Sequence, residues 1–405
     1  MASQAQLGVI WWPGGLSFTR TPRGTRDLTP PHSEAFRYVE LKLLETFTLW
    51  GYREVRTPLF EYLESLSRGV GKDLVQSMFK AQDDDGRLIA FRAEMTAPVA
   101  RLVSSKMLKE SMPLRVCYVS NVVRFKERYP GYPREFWQAG VELIGNQGVD
   151  ADAEVISLML TALGELGLRD VKVDVGHAGI FRRLLALAKL RDDEVERVKG
   201  FVSMKDSTGL KRVLRGSACD EGVVRAFEAV CEVRGLRVLD EVLSAVGDEE
   251  VARLAEEVKL LFKLLSYNGF QDKVSLDIGL IRGLDYYTGI IFEPYAPAFG
   301  SALGGGGRYD DLIASFVGKE VPATGFALVV DYLVEAIGVE AIAQRLNEKK
   351  RVIVVPMSYE SYREALSRAR DLRRQGVIAE LHPVGDLEGA KAKAEKTNAV
   401  LEVVR

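Results

Sequence analysis

An α+β fold is predicted by three observations. Short apolar runs of strand character alternate with polar loops over much of the chain, an almost wholly helical stretch runs over about 176–265, and strand and helix alternate after about 350. Together they give an antiparallel sheet with flanking helices, a helical insertion, and a small C-terminal α/β domain over 350–405. The first domain is expected to span residues 1–345. A chain of 405 residues fits this division.

Each element has its own signal. "PPHSEAFRYVELKLLETFTLW" places Phe36, Val39, Leu43, Leu44 and Phe47 at helical spacing, and Gly51 ends the run. "YREVRTPLFE" reads as a strand, with Pro58 suited to an edge or a bend. "RLIAFRAEMTAPVARLVSS" reads as a strand that turns into a helix. "LRVCYVSNVVRF" and "EFWQAGVELIG" are strand-like runs on either side of the polar loop "KERYPGYPR". "DADAEVISLMLTALGELG" is a helix whose acidic start suits the N-terminal dipole. After the insertion come "VSLDIGL", "RGLDYYTGIIFE", "SALGGGGRYDDLIASF" and "ATGFALVV", then the helix "DYLVEAIG". "NEKK" is a charged linker to the tail, whose alternation predicts a parallel sheet.

Composition narrows the function. Apolar residues make up 47%, charged residues 28%, and formal net charge is -2, which gives no global pull toward nucleic acid. Cys117, Cys219 and Cys231 form no C-x-x-C pair, so they read as isolated thiols in a reducing cytosol, and no metal site is implied. No apolar run is long enough to span a membrane, and "MASQAQLGVIWWPGGL" lacks a basic start, so a cytoplasmic protein is expected. Trp11 and Trp12 are expected to pack on the body of the protein or on a partner.

Polar groups on apolar strands mark candidate sites. "FRAEMT" places Arg92, Glu94 and Thr96 at period two, on one face if the segment is a strand. A carboxylate beside a hydroxyl holds an ammonium group or simply faces solvent. "REFWQAGVE" puts Gln138 and Glu142 on one face by the same rule. Arg124 and Arg134 bracket the polar loop, as suits an anion or a nucleotide. On "RGLDYYTGIIFE" a strand would place Tyr287 and Gly289 on one face, with the glycine leaving room beside the ring for a small heteroaromatic ligand. Gly304–Gly307 lack a following Gly-Lys-Ser/Thr, so they mark a bulge or a close backbone approach, not a phosphate loop.

The motifs as a set resemble the histidyl-tRNA synthetase family, with its class II synthetase fold. "TPRGTRDLTP" is similar to its opening, and "GYREVRTPLFE" to motif 1, with Pro58 at a dimer interface. "FRAEMTAPVAR" and "SNVVRFKERYPGYPREFWQAGVELIG" resemble the histidine loop and motif 2. "RGLDYYTGIIFE" resembles the histidine signature, and "ATGFALVVDYL" resembles motif 3. The family also includes regulatory subunits of short-form ATP phosphoribosyltransferase, which have lost the synthetase activity. The resemblance implies a histidine site of Glu94, Thr96, Arg124, Gln138, Glu142, Arg282, Tyr286 and Tyr287. The ATP side departs from the synthetases. Tyr332 stands where motif 3 has its arginine, Val329 replaces a glycine, and Lys126 replaces the adenine-side glutamate, with Glu127 one place further on. Tyr132 and Trp137 replace a basic residue and a histidine.

These departures imply a non-catalytic, histidine-responsive subunit with a homodimer core. Its partner would be a short-form catalytic subunit, with L-histidine as effector. No catalytic residue and no cofactor are implied. The short tail and the charge balance argue against tRNA. The alternative is a histidine–tRNA ligase with divergent ATP contacts.

Overall fold

The computed structural model describes residues 19–125, 133–217, 219–281, 287–297, 299–346 and 350–405. Trp11, Trp12, Lys126, Glu127, Tyr132, Arg282, Tyr286 and most of the "NEKK" linker lie outside the described residues. The chain divides into two compact units, Met1–Ile337 and Gly338–Arg405.

Eleven described strands belong to the first unit: β1 (Arg53–Glu54), β2 (Phe60–Tyr62), β3 (Lys80–Gln82), β4 (Leu88–Phe91), β5 (Leu114–Val123), β6 (Glu135–Ile144), β7 (Lys172–His177), β8 (Val274–Leu276), β9 (Ile290–Tyr295), β10 (Gly304–Arg308) and β11 (Ala323–Val329). Eight of them form one sheet in the order β1-β5-β6-β11-β10-β9-β7-β8. The pairs from β5 to β7 are antiparallel, while β1 on β5 and β8 on β7 are parallel. Strands β2, β4 and β3 make a separate small sheet.

The period of two in β6 sorts its side chains. Ala139, Val141 and Leu143 are fully buried and lie on one face. Helices His32–Leu49 and Val149–Glu165 belong to that layer, and Phe47 meets Phe326 edge-on at 5.7 Å. Phe136, Gln138, Gly140, Glu142 and Ile144 lie on the other face. Here Phe136 and Ile144 join a core cluster with Tyr118, Met95, Val99 and Tyr287. The core thus has two apolar layers, and the candidate polar residues sit in the second.

The expected insertion leaves the sheet after β7 and returns at β8. Its described helices run from Ala178–Ala188 to Glu249–Tyr267. The second unit contains β12 (Arg351–Pro356), β13 (Ile378–Leu381) and β14 (Val400–Val404), all parallel, with β12 central. Alternate residues of β12 face opposite layers. Val352 and Val354 pack with Ala365, Ala369 and Leu372 of one helix, and Ile353 and Val355 with Ala390 and Ala394 of another. Among the described residues, no helix is long and apolar enough to cross a membrane.

Arg308 ends the glycine strand β10. Its guanidinium donates to Asp152 Oδ2 at 3.0 and 2.7 Å, and to the carbonyls of Asn146 at 3.1 Å and Gly148 at 2.9 Å. Asp152 sits in the first turn of helix Val149–Glu165, yet it is fully buried and held by a side chain from across the sheet. The acidic start of that helix therefore joins helix to sheet. Removing Arg308 leaves a buried carboxylate unpaired, so Arg308→Ala should cost about 3–5 kcal/mol of stability in urea denaturation. A loss below about 1 kcal/mol would mean that this pair is no stronger than a surface one.

Candidate ligand-binding site

Strand β4 ends at Phe91, and a helix begins at Thr96. The expectation that Arg92, Glu94 and Thr96 share a strand face is therefore not met. The buried Arg92 guanidinium donates to the carbonyls of Asn121 at 2.8 Å, Thr57 at 2.8 Å and Pro58 at 3.2 Å, so it is spent on joining the Thr57–Pro58 segment to β5. Glu94 turns the other way. Its carboxylate accepts the backbone N–H of Thr96 at 2.5 Å and of Ala97 at 2.8 Å, satisfying the open first turn of helix Thr96–Lys106. Glu94 and Thr96 still line one cavity, brought there by a helix start.

Glu142 lies across from them. Strand β6 is regular, so Gln138 and Glu142 do share a face, as their spacing predicts. The Tyr309 hydroxyl donates to Glu142 Oε2 at 2.5 Å, and the Tyr118 hydroxyl donates to Oε1 at 3.3 Å. Gly325, the register partner of Glu142 on β11, makes this geometry possible. A Cβ there would stand 1.8 Å from Glu142 Oε2. Burial pushes the Glu142 carboxyl up to about 8. The Glu94 carboxylate adds to that rise, and the hydroxyls of Tyr309, Thr96 and Tyr118 oppose it. Glu94 is raised too, by burial first, against its two backbone bonds and the nearby Arg124 charge.

The cavity has a volume of about 80 Å³, and its walls include Glu94, Thr96, Arg124, Gln138, Tyr287 and Tyr309. Thus five predicted site residues meet at one place. Glu142 sits just behind the wall, bonded to Tyr309. Gln138 Oε1 is buried with no hydrogen-bond partner among the described residues, an open acceptor at the wall. Arg124 also lies over the Phe136 ring at 4.9 Å. Tyr287 is buried in the core cluster. The room beside its ring comes from Gly307, where a Cβ would meet the ring at 2.9 Å, and not from Gly289 as expected. Beside Gly289 the space is taken by the Arg308 side chain. Gly304 and Gly305 line the cavity with backbone. Two buried acids, an amide oxygen and hydroxyls suit a small ligand that carries positive charge and N–H donors.

Several neighbouring positions carry aromatic or apolar side chains. The Tyr332 ring packs on Phe299 at 5.3 Å between centroids, and Val329 forms part of the cavity wall. Trp137 meets the Phe36 ring edge-on at 6.0 Å, and its backbone N–H donates to Asp331 at 2.8 Å. Asp331 also pairs with Arg26. Arg134 lies over the Phe125 ring at 4.9 Å, and Phe125 stacks on Phe79.

The sequence reading missed Tyr118 and Tyr309. Tyr118 sits at period two with Val116 and Ser120 on β5, and that face pairs with the Gln138–Glu142 face of β6. Pairing the two runs as a hairpin would have found it. Tyr309 follows the glycine strand and carries no such signal. Glu142 generates a pH prediction. An acid whose folded pKa lies above its unfolded value, here about 8 against 4.5, favours the folded state most below 4.5. That contribution is lost as pH rises through 8. Glu142→Gln should therefore gain stability relative to the parent between pH 5 and 8, on the order of a few kcal/mol. Thermal unfolding at both pH values checks it, and a constant difference would contradict the buried-acid account.

Comparison with known proteins gives the family of the chain. The family model for histidyl-tRNA synthetase matches residues 24–333. The ATP phosphoribosyltransferase regulatory subunit of Moorella thermoacetica is 36% identical over 361 residues, covering 89% of this chain and 91% of that protein. The histidine–tRNA ligase of Methanocaldococcus jannaschii is 35% identical over 367 residues, covering 90% of this chain and 86% of that protein. A solved structure from Bacillus halodurans, described as an ATP phosphoribosyltransferase regulatory subunit/histidyl-tRNA synthetase, superposes with a TM-score of 0.84 at 30% identity. It covers 96% of this chain and 100% of its own. The chain belongs to the histidyl-tRNA synthetase family.

Proposed function

We propose that this chain is a non-catalytic regulatory subunit of ATP phosphoribosyltransferase that binds histidine and acts on a separate, short-form catalytic subunit. The observation that carries this reading is the contrast between the two halves of the site. The acid half is assembled: Glu94, Thr96 and Gln138 line the cavity, with Glu142 behind Tyr309. The half that would serve ATP has exchanged polar groups for aromatic packing, with Tyr332 on Phe299 at the position of the motif 3 arginine. A neutral ring cannot replace a guanidinium fork on phosphate. The regulatory-subunit relatives, which match most of the chain, support the same choice.

In this reading the ammonium and imidazole groups of histidine meet the two glutamates and the Gln138 oxygen. Arg282, Tyr286 and Tyr287 complete the site, with Arg282 toward the carboxylate. Glu142 holds a proton near neutral pH, and an arriving cation favours its ionised form. The subunit would relay occupancy to its partner through a difference in affinity between two states. A homodimer core through the segment around Pro58 follows from the motif 1 resemblance.

A second reading, a working histidine–tRNA ligase, is favoured by the Methanocaldococcus jannaschii relative. ATP–pyrophosphate exchange with histidine separates the two. Each lost transition-state cation costs about 10²–10³ in rate, so exchange should fall at least that far below a working synthetase. Robust exchange would overturn the regulatory reading. In the assembled enzyme, Glu94→Gln and Gln138→Leu should each raise the histidine concentration for half-inhibition by about tenfold, the value of one charge-assisted or buried hydrogen bond. Glu94→Gln keeps an acceptor for the helix start, so its effect reports on charge. Unchanged inhibition in both variants would place the effector elsewhere.

A further inference from the structure

The helical insertion holds the cavity wall from outside, through a contact that the histidine site itself does not use. Tyr287 faces the cavity, and the next two residues, Thr288 and Gly289, lead into β9. Their carbonyls are gripped by the first helix of the insertion, Ala178–Ala188. The Ala178 N–H donates to the Gly289 carbonyl at 2.8 Å, and the Arg182 guanidinium donates to the Thr288 carbonyl at 2.8 Å. His177, the N-cap of that helix, is the register partner of Ile290.

The opposite side of the same segment is bonded to the sheet. The Thr288 N–H donates to the Arg308 carbonyl at 2.7 Å, and the Asp310 N–H donates to the Thr288 hydroxyl at 3.1 Å. Thr288 therefore sits between the end of β10 and one helix of the insertion, with Gly289 held by the same helix. That helix is tied onward. Phe181 meets Phe227 edge-on at 5.9 Å, and Arg183 donates to Asp248 at 2.7 Å, the N-cap of helix Glu249–Tyr267. Arg182 is exposed, and its guanidinium makes no other hydrogen bond or ion pair among the described residues. A guanidinium on an exposed helix face, aimed at a backbone carbonyl beside the cavity, adds little to core packing and much to the position of that carbonyl.

We propose that Arg182 is the positioning residue that couples occupancy of the cavity to the helical insertion. A ligand that fixes Tyr287 fixes the Thr288 carbonyl. Arg182 passes that constraint to helix Ala178–Ala188, and from there to the helices held by Phe181 and Arg183. The insertion then reports ligand binding to a partner without touching the ligand. This rests on the reading of the cavity as a histidine site.

Amide hydrogen exchange on the full chain, with and without histidine, tests the coupling and the site separately. Thr96 and Ala97, whose amides bond Glu94, report binding at the cavity. The helix Ala178–Ala188 reports the relay. In the parent chain both regions should slow with histidine, the helix by about tenfold, the scale of an ordinary coupling free energy. In Arg182→Ala the slowing at Thr96 and Ala97 should persist, while that of the helix is lost; Arg182→Lys, which keeps a donor, should restore part of it. Slowing confined to Thr96 and Ala97 in the parent would overturn the coupling and leave the site intact. Equal slowing in Arg182→Ala and parent would overturn the role of Arg182. No slowing in either region would overturn the histidine site and the coupling with it.

Discussion

The buried carboxylate of Glu142 is the constraint around which this half of the sheet is arranged. It lies under a face built by three strands, and each makes a concession to it. Strand β5 brings the Tyr118 hydroxyl, the turn after β10 brings Tyr309, and β11 gives up a side chain at Gly325. A carboxyl without these hydroxyls would face the full cost of burial. With them it stays in place, protonated to about pH 8, next to a second buried acid. Both Glu142 oxygens are used by these hydroxyls, and the acceptor left without a partner among the described residues is Gln138 Oε1 at the cavity wall.

The rest of the site shows how such capacity is kept separate from structural polarity. Arg92 and Arg308 are the buried cations nearest in sequence to the candidate residues, and both are committed. Arg92 donates to loop carbonyls, and Arg308 donates to Asp152 and two carbonyls. Neither is turned toward the glutamates. The aromatic groups divide in the same way. Tyr118 and Tyr309 point hydroxyls at an acid, whereas Tyr332, Phe299, Trp137 and Phe36 meet ring to ring. The cavity wall is polar at Glu94, Thr96, Arg124 and Gln138, and apolar at Phe326, Ala327 and Val329 of β11.

Much of this was legible in the sequence because strand periodicity is local. Gln138 and Glu142 share a face because β6 is regular for ten residues. The helical insertion and the parallel tail were legible for the same reason. Periodicity failed where the chain changed element. "FRAEMT" continues the alternation of β4 by residue type, but the bonds from Thr96 and Ala97 to Glu94 start a helix there instead. That local hydrogen bonding outweighed the pattern, and Arg92 does not share a face with Glu94 and Thr96. Tyr118 and Tyr309 reach Glu142 over separations of 24 and 167 residues. Such partners depend on register between strands, which one strand read alone does not contain. The glycine run was half legible: a close backbone approach was expected, and Gly307 supplies it for the Tyr287 ring.

The energetics of the two halves also bear on whether the chain binds anything. At the motif 3 position the neutral Tyr332 ring packs on Phe299, so no charge has to be accommodated there. Retaining Glu142 and Glu94 works in the other direction. Two raised carboxyls, Glu94 at the cavity and Glu142 behind its wall, oppose folding above their unfolded pKa, and replacing either by a neutral residue of similar shape relieves that cost. Gln138 adds a buried oxygen with no partner among the described residues. A plain scaffold has no use for these three groups, and each burdens its stability. Under the proposed function, a ligand with positive charge and N–H donors would meet Glu94 and the Gln138 oxygen in the cavity, and its binding energy would offset part of that burden.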